Sequence, residues 1–148
     1  GGRGGYYDKA GATRDMVQNH LLQLLSLVAM EPPTDLSADS VRDEKVKVLR
    51  TIRKMDPEQV AKNVIRAQYI DGNINGEPVK AYREEDRVDP KSMTESYVAM
   101  RLFIDNWRWE GTPFYIRMGK RLPKKTTEIS LHLKSPPNVL FQKLPKLL

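Results

Sequence analysis

The stretch "TESYVAMRLFID", at residues 94–105, alternates between two sets of side chains and decides the fold class. One set is apolar and the other is mixed: Val98, Met100, Leu102 and Ile104 against Tyr97, Ala99, Arg101 and Phe103. Because successive side chains of a β-strand lie on opposite faces, this alternation predicts a strand with one buried face. A sheet that contains this strand is therefore the predicted framework of the domain.

Three further segments alternate in the same way. They are "NVIRAQYI" at 63–70, "FYIRM" at 114–118 and "TEISLHLK" at 127–134, and each predicts a strand. In the last of them Ile129, Leu131 and Leu133 face one way, and we expect the polar side chains on the other face to be hydrated. The stretch "YIDGNINGEPVKAYREEDRVDP", at 69–90, is rich in Gly, Asn, Pro and charge, which predicts a long surface loop.

Two helices are predicted before these strands. Over residues 13–30, apolar side chains recur at helical spacing, at Met16, Val17, Leu21, Leu24, Leu25 and Val28. Pro32 and Pro33 end that helix. The second helix covers residues 40–54, begins with Ser40 and Asp43 as a capping pair, has basic residues in its last turns (Lys47, Arg50, Arg53 and Lys54) and ends by Asp56 and Pro57. Helices followed by a mainly antiparallel sheet predict an α+β fold.

Composition excludes several classes of function. The 148 residues carry a formal charge of +6 and include no cysteine, so disulfides, thiolate metal sites and thiol nucleophiles are all excluded. The sequence contains no G-x-G-x-x-G, Walker or H-E-x-x-H motif and two histidines, so it predicts neither a nucleotide fold nor a histidine-rich metal site. No apolar run is long enough to cross a bilayer. The positive charge favours an anionic partner such as nucleic acid, an acidic membrane surface or a phosphorylated metabolite.

His20 interrupts the apolar stripe of the first helix and has two interpretations. It shares a face with Met16, Val17 and Leu24, so it is either a core histidine or a neutral imidazole in a half-apolar wall. An imidazole in such a setting is suited to take up a proton near neutral pH. Asp15 is either a first-turn acid favoured by the helix dipole or a functional carboxylate.

A second candidate is the basic turn, "RMGKRLPKK" at residues 117–125. Its cations surround a Gly and a Pro: Arg117, Lys120, Arg121, Lys124 and Lys125. It is a solvated surface turn, a phosphate site, or a nucleic-acid patch in which neighbouring aromatics stack on bases (Trp107, Trp109 and Tyr115). The segment "NWRWEGTPF" is equally typical of a turn whose aromatic side chains pack inward.

Three long blocks carry a family resemblance. "RGGYYDKAGATRDMVQNHLLQLLSLVAMEPP", "VRDEKVKVLR" and "RWEGTPFYIRMGKRL" resemble the glucose-6-phosphate dehydrogenase family in its bacterial form, in order over residues 3–133. The resemblance implies that residues 1–148 form part of the C-terminal substrate and dimerisation domain, and that the N-terminal NADP-binding Rossmann domain is absent from this chain. It implies a cytoplasmic enzyme that oxidises glucose 6-phosphate to 6-phosphogluconolactone with NADP. It also implies a homo-oligomer formed through the C-terminal sheet, with neither nucleic acid nor membrane as a partner.

The resemblance implies a role for each site residue. His20 corresponds to the general base that takes the proton of the sugar's 1-hydroxyl, and Asp15 to a sugar contact. Lys120 and Lys125 correspond to residues that bind the substrate and its phosphate. Arg117 lies in the same block, but Thr126 replaces a basic neighbour, so a second, structural cofactor is not expected. No residue of this chain is assigned to NADP or to a metal.

These roles match the chemistry of the reaction. Loss of hydride from C1 requires a base beside the departing hydroxyl proton and a fixed attachment for the distant phosphate. The family's "DHYLGKE" segment, which supplies the carboxylate that orients the base, does not occur here, so we expect the isolated chain to be inactive. Two alternatives remain at this point: a module that binds single-stranded nucleic acid, and a dimerisation segment in which His20 is inert.

Overall fold

The computed structural model describes residues 20–135, in which helices come first and antiparallel strands follow. Within that part of the chain the helices are α1 (Leu22–Ala29), α2 (Ala38–Thr51) and α3 (Pro57–Asn63). The strands are β1 (Val64–Ala67), β2 (Gly72–Ile74), β3 (Glu77–Val79), β4 (Tyr97–Phe103) and β5 (Pro113–Gly119). This order confirms the predicted α+β fold class.

The main sheet has the order β1-β4-β5, and both of its strand pairs are antiparallel. In its register Ala99 lies between Ile65 and Arg117. The alternation predicted for the stretch at 94–105 is confirmed, because Val98, Leu102 and Ile104 are buried and Arg101 on the opposite face is exposed. The predicted strands at 63–70 and 114–118 correspond to β1 and β5.

Two groups of buried side chains form the interior. The helix cluster joins α1 and α2 to the sheet and consists of Leu25, Ala29, Val48, Leu102 and Ile104. The tyrosine cluster consists of Tyr82, Val88, Val98 and Met118. Leu22 and Met100 pack against both clusters, so the two groups of side chains form one continuous apolar interior.

Helix α1 ends where the sequence predicted. The N–H of Met30 donates to the carbonyl of Ser26 at 2.9 Å, and the chain becomes extended at Met30, just before the two prolines. Residues 13–19, which were predicted to begin this helix, lie outside the described residues.

The predicted start of α2 is wrong. Ser37, not Ser40, is the N-cap, and its hydroxyl oxygen accepts a hydrogen bond from the Ser40 N–H at 3.3 Å. Asp35 in turn accepts from the N–H of Ser37 at 2.7 Å. The helix therefore begins earlier because Asp35 and Ser37 together satisfy groups at its amino end.

The predicted end of α2 is also wrong. The helix stops at Thr51, because the following residues pair with the end of β4 and with the residues after it: the Arg53 N–H donates to the Phe103 carbonyl at 2.9 Å, and the Asp105 N–H donates to the Thr51 carbonyl at 2.8 Å. Asp56, predicted to end the helix, instead begins α3. It forms a reciprocal capping box with Gln59, with bonds of 2.8 Å and 3.1 Å.

The stretch predicted as a long surface loop contains ordered elements. Strands β2 and β3 form a hairpin whose turn is Asn75 and Gly76, with φ angles of 53° and 90°. Asn-Gly is the sequence that favours such a turn, because both positions need positive φ. A 3-10 helix at Tyr82–Glu84 follows, and Tyr82 and Val88 are buried in the tyrosine cluster. The prediction of a purely exposed loop is therefore wrong.

The strand predicted at 127–134 is not formed. Within the described chain this segment has no strand partner, and its apolar residues Ile129, Leu131 and Leu133 are exposed. Alternation alone does not make a strand, because the backbone also needs a neighbouring ladder of hydrogen bonds.

The two tryptophans of the aromatic turn after β4 differ in burial. Trp109 packs against the helix cluster, with its ring edge-on to Phe114 at a centroid distance of 5.1 Å. Trp107 is fully exposed. The prediction that the aromatics of this turn pack inward is thus confirmed for Trp109 and wrong for Trp107.

Candidate functional site

The basic turn begins where the β4–β5 ladder ends. Gly119, the last residue of β5, pairs with Tyr97, the first residue of β4. The N–H of the next residue, Lys120, donates to the carbonyl of Ser96 at 2.9 Å. The main-chain position of Lys120 is therefore fixed by the sheet, and its side chain is half-buried.

Ser96 holds three parts of the chain together. This residue is 1% exposed, and its N–H donates to the carbonyl of Ala67, at the end of β1, at 2.9 Å. Its hydroxyl oxygen accepts from the N–H of Tyr69 at 2.9 Å, while its carbonyl accepts from Lys120. The start of the basic turn is thus bonded to the segment that follows β1 through one buried serine.

Arg121 is fastened to the segment before β4. One guanidinium nitrogen of Arg121 donates to Oε1 of Glu85 at 2.5 Å, and the hydroxyl of Tyr69 donates to the same oxygen at 3.1 Å. The backbone of Arg121 has a φ of 57°, which is uncommon for a residue other than glycine. A single carboxylate oxygen thus connects the turn to Tyr69.

The surroundings of Tyr69 and Arg121 favour one protonation state for each side chain. Burial raises the pKa of the Tyr69 hydroxyl, and the nearby Glu85 charge raises it further. The hydrogen bond to Glu85 raises the pKa of the Arg121 guanidinium. Near neutral pH, Tyr69 is therefore a protonated donor and Arg121 a cation.

The segment that carries Glu85 has its own attachment to the interior. The N–H of Tyr82 donates to the carbonyl of Tyr69 at 3.0 Å, and the two rings meet edge-on at 5.5 Å. The Glu85 N–H donates to the Tyr82 carbonyl at 3.2 Å. Because Tyr82 is 3% exposed, the backbone of Glu85 is hydrogen-bonded to a buried residue.

His20 lies at the amino end of the described residues and is exposed. This exposure contradicts the alternative in which it is a core histidine. The next residue, Leu21, packs against the tyrosine cluster, and Met118 of the same cluster lies two positions before Lys120. Leu21, beside His20, and Met118, two positions before Lys120, are therefore both held by the tyrosine cluster.

The other predicted site residues, Lys125, Arg117 and Asp15, are either exposed or outside the described residues. Lys125 is exposed at the last position of the basic turn, and Arg117 is exposed on β5, on the face opposite Met118. Asp15 lies outside the described residues. Glu85, Tyr69 and Ser96 were not predicted, and the one sequence signal for their segment was the Asn75-Gly76 pair, which indicates a folded hairpin before Tyr82.

A shallow cavity of about 220 Å³ lies at the other end of β4. Its lining includes Arg53 and Arg101, whose guanidinium groups lie 4.8 Å and 5.6 Å from the centroid of the Phe103 ring. Arg53 is paired with Asp105 at 2.7 Å, and Arg101 donates to Oδ1 of Asn63 at 2.8 Å. Since Ser96 and Lys120 lie at the opposite end of the strand, this cavity is separate from the basic turn.

The described part of the chain offers neither a metal-binding cluster nor a membrane-spanning helix. Among residues 20–135 no group of three or more His, Asp or Glu side chains is placed to hold a metal ion. No helix in this range combines the length and the apolar character needed to cross a membrane.

Known proteins match the chain along most of its length. The family model described as glucose-6-phosphate dehydrogenase, C-terminal domain, matches residues 1–147. The glucose-6-phosphate 1-dehydrogenase of Aggregatibacter actinomycetemcomitans is 55% identical over 139 residues, which are 94% of this chain and 28% of that protein. The enzyme of the same name from Bacillus subtilis is 51% identical over 139 residues, again 94% of this chain and 28% of its own length.

Solved structures agree with these matches. Glucose-6-phosphate dehydrogenase in complex with its substrate glucose-6-phosphate superimposes with a TM-score of 0.67 at 39% identity, covering 80% of this chain and 23% of that one. Glucose-6-phosphate 1-dehydrogenase from Mycobacterium avium gives a TM-score of 0.63 at 47% identity, covering 79% and 22%. The chain spans 28% of the length of the first curated relative.

The resemblance identified in the sequence is thus confirmed by a family match over nearly the whole chain and by relatives at about half identity. The chain belongs to the family of glucose-6-phosphate dehydrogenase C-terminal domains.

Proposed function

We propose that this chain works as part of an NADP-dependent dehydrogenase that oxidises D-glucose 6-phosphate to 6-phospho-D-glucono-1,5-lactone. The observation that carries the proposal is that both predicted groups are attached to the tyrosine cluster: Leu21, next to His20, packs against it, and Met118, two positions before Lys120, belongs to it. A base and a phosphate-binding turn held on one rigid interior are what the oxidation of a phosphorylated sugar needs. Family membership supplies the substrate class.

In this proposal His20 is the general base. Its exposure leaves the imidazole accessible to a sugar hydroxyl, and histidine is the side chain that most often acts as a general base. Removal of the 1-hydroxyl proton lets the C1–O bond become a carbonyl as hydride departs. Asp15, five residues earlier in the sequence, would contact the sugar and help to orient it.

Lys120 and Lys125 would bind the other end of the substrate. An ammonium group is a compact charge that suits a phosphate dianion, and the sheet fixes the main chain of Lys120. Lys125, exposed at the end of the basic turn, would add a second charge. The phosphate would set the distance from this turn to C1 and so bring the anomeric carbon to His20.

NADP, when bound, supplies the hydride acceptor. The sequence has no glycine-rich turn between a strand and a helix that would accommodate a pyrophosphate, so we assign no residue of this chain to that cofactor. We propose that the NADP-binding domain of such an enzyme lies outside this sequence, and that residues 1–148 alone show no turnover.

We also propose that the enzyme is cytoplasmic and forms a homo-oligomer through the main sheet. The sheet face opposite the core carries exposed apolar side chains, among them Ile65 on β1 and Tyr115 on β5. Nucleic acid binding is less well supported, because Glu85 pairs with one cation of the basic turn and Trp109 packs inside. A titration with an oligonucleotide at several salt concentrations would test it, since phosphate contacts give a steep salt dependence.

The test of the base uses the two histidines of the sequence in a full-length dehydrogenase that carries it. His20→Asn is expected to lower kcat by about 10²–10⁴-fold while KM for glucose 6-phosphate stays close to wild type. His132→Asn is the matched control, because His132 is exposed and has no role in the proposal. An unchanged kcat in His20→Asn rejects the assignment of the base.

A further inference from the structure

We propose that Glu85 is a positioning residue for the substrate phosphate, because it holds Arg121 and thereby fixes the turn that presents Lys120. The inference rests on the proposed function, in which Lys120 binds that phosphate. Glu85 itself does not contact substrate in this proposal. Its role is to fix the position of the Lys120 ammonium group before the substrate binds.

The first step is the geometry of the turn. Lys120 is tied at its N–H to Ser96, and the next residue, Arg121, turns the chain with a positive φ. That backbone conformation is uncommon for an arginine, and a contact of its side chain helps to maintain it. The contact present is the ion pair between Arg121 and Glu85, at 2.5 Å.

The second step is the rigidity of the group that holds the turn. Oε1 of Glu85 also accepts from the Tyr69 hydroxyl, and the Tyr69 N–H is bonded to Ser96. The route from Lys120 through Ser96, Tyr69 and Glu85 to Arg121 is therefore a closed ring of hydrogen bonds with one covalent link, the peptide between Lys120 and Arg121. A closed ring restricts the turn more than either contact alone.

The third step is the charge. The Arg121 side chain is 43% exposed and the Glu85 side chain 24% exposed, and partly exposed ion pairs stabilise a fold only weakly. Its carboxylate partner already neutralises Arg121, so the anion-binding charge of the turn falls on the lysines. The pair therefore matters for placement more than for stability or for total charge, and a placed cation binds its ligand with less loss of freedom.

The experiment measures substrate and cofactor constants in a full-length dehydrogenase that carries this sequence. Glu85→Gln keeps the size of the side chain and an oxygen for Tyr69, but removes the ion pair with Arg121. We expect KM for glucose 6-phosphate to rise about tenfold, and the inhibition constant of inorganic phosphate to rise with it. We expect kcat and KM for NADP to stay within about twofold of wild type.

Two further variants separate placement from general damage. Asp86→Asn removes the same charge from the next residue, which is exposed, and should leave every constant unchanged. Arg121→Met keeps a side chain of similar length at the same positive φ but cannot pair with Glu85, so it should reproduce the effect of Glu85→Gln. It also provides an independent test if the glutamine variant folds poorly.

The outcomes are distinct. A wild-type enzyme that fails to oxidise glucose 6-phosphate overturns the proposed function and this inference with it. An active wild type in which Glu85→Gln leaves KM and phosphate inhibition unchanged overturns the inference alone. So does a variant that changes kcat and both KM values together, because that pattern indicates a general structural role.

Discussion

The indole N–H of Trp109 donates a hydrogen bond of 2.9 Å to the carbonyl of Ala29, the last residue of α1. The carbonyls at the end of a helix have no partner within it, so this bond satisfies one of them from a residue eighty positions away in the sequence. It connects the turn after β4 directly to the helix that follows His20.

Loss of this bond should be measurable as a loss of stability. In Trp109→Phe the ring still packs near Phe114, but the Ala29 carbonyl loses its donor, so we expect the free energy of unfolding to fall by about 1–3 kcal/mol. Trp107→Phe is the control, because Trp107 is fully exposed. Denaturant titration of both variants compares them, and equal stability would show that the Ala29 bond contributes nothing.

The ion pair between Arg53 and Asp105 predicts a specific dependence on acid. The hydrogen bond from Arg53 lowers the pKa of the Asp105 carboxyl from its ordinary value of 3.8. A carboxyl whose pKa is lower in the folded state stabilises the fold above its unfolded pKa, and this contribution disappears as the pH falls through the lowered value.

We therefore expect Asp105→Asn to melt at a lower temperature than wild type near neutral pH. The difference between the two proteins should shrink as the pH falls below the ordinary carboxyl pKa. Thermal melts across this range measure it, with Asp71→Asn as a control at an exposed aspartate. A difference that persists unchanged in acid would mean that the charge of Asp105 is not its cause.

The close packing around Gly119 predicts that a side chain at this position disturbs both the stability of the fold and the position of Lys120. A Cβ at this position would lie 2.9 Å from Cδ2 of Tyr97 and 3.3 Å from Cγ and Cδ2 of Leu122. Gly119→Ala therefore forces the Tyr97 ring or the basic turn to move, at a cost of about 1–3 kcal/mol in stability. Lys120, the proposed phosphate ligand, is the next residue. The KM of the full-length dehydrogenase for glucose 6-phosphate should therefore rise as well.

The matched control is Gly72→Ala, because a Cβ there meets no atom within 4 Å. Thermal melts and steady-state kinetics on both alanine variants give the two quantities. A Gly119→Ala enzyme with an unaltered KM would show that the turn absorbs the added methyl group without moving Lys120.

Sequence reasoning predicted the elements whose pattern is set by burial. Strand β4 was found because Val98, Leu102 and Ile104 are all in the core, and burial is what produces an alternating sequence. The same pattern predicted a strand at 127–134 that does not form. Hydrophobic alternation is necessary for a half-buried strand, but pairing depends on a partner that the local sequence does not specify.

Elements set by local capping were predicted less well. Helix α3 has no buried residue, so it has no apolar stripe to reveal it, and its signal was the capping pair of Asp56 and Gln59. The hairpin of β2 and β3 was likewise indicated by Asn75 and Gly76. Both signals were present in the sequence, but they were interpreted as the end of a helix and as part of a loop.

The site was predictable only in part. His20 and Lys120 were predicted from long blocks that resemble the glucose-6-phosphate dehydrogenase family, and their roles stay predictions. Glu85 was not, because it meets Arg121 across thirty-six positions of sequence, and its neighbours in the chain are also charged. A contact between distant segments leaves no local pattern, so tertiary structure was needed to find it.

Leu22 and Met100 each touch both groups of buried side chains. A change of shape at either position therefore alters the packing beside the basic turn and beside Trp109, whose indole bonds the end of the first helix. Substitutions in the two regions should not behave as independent events, because both clusters share Leu22 and Met100.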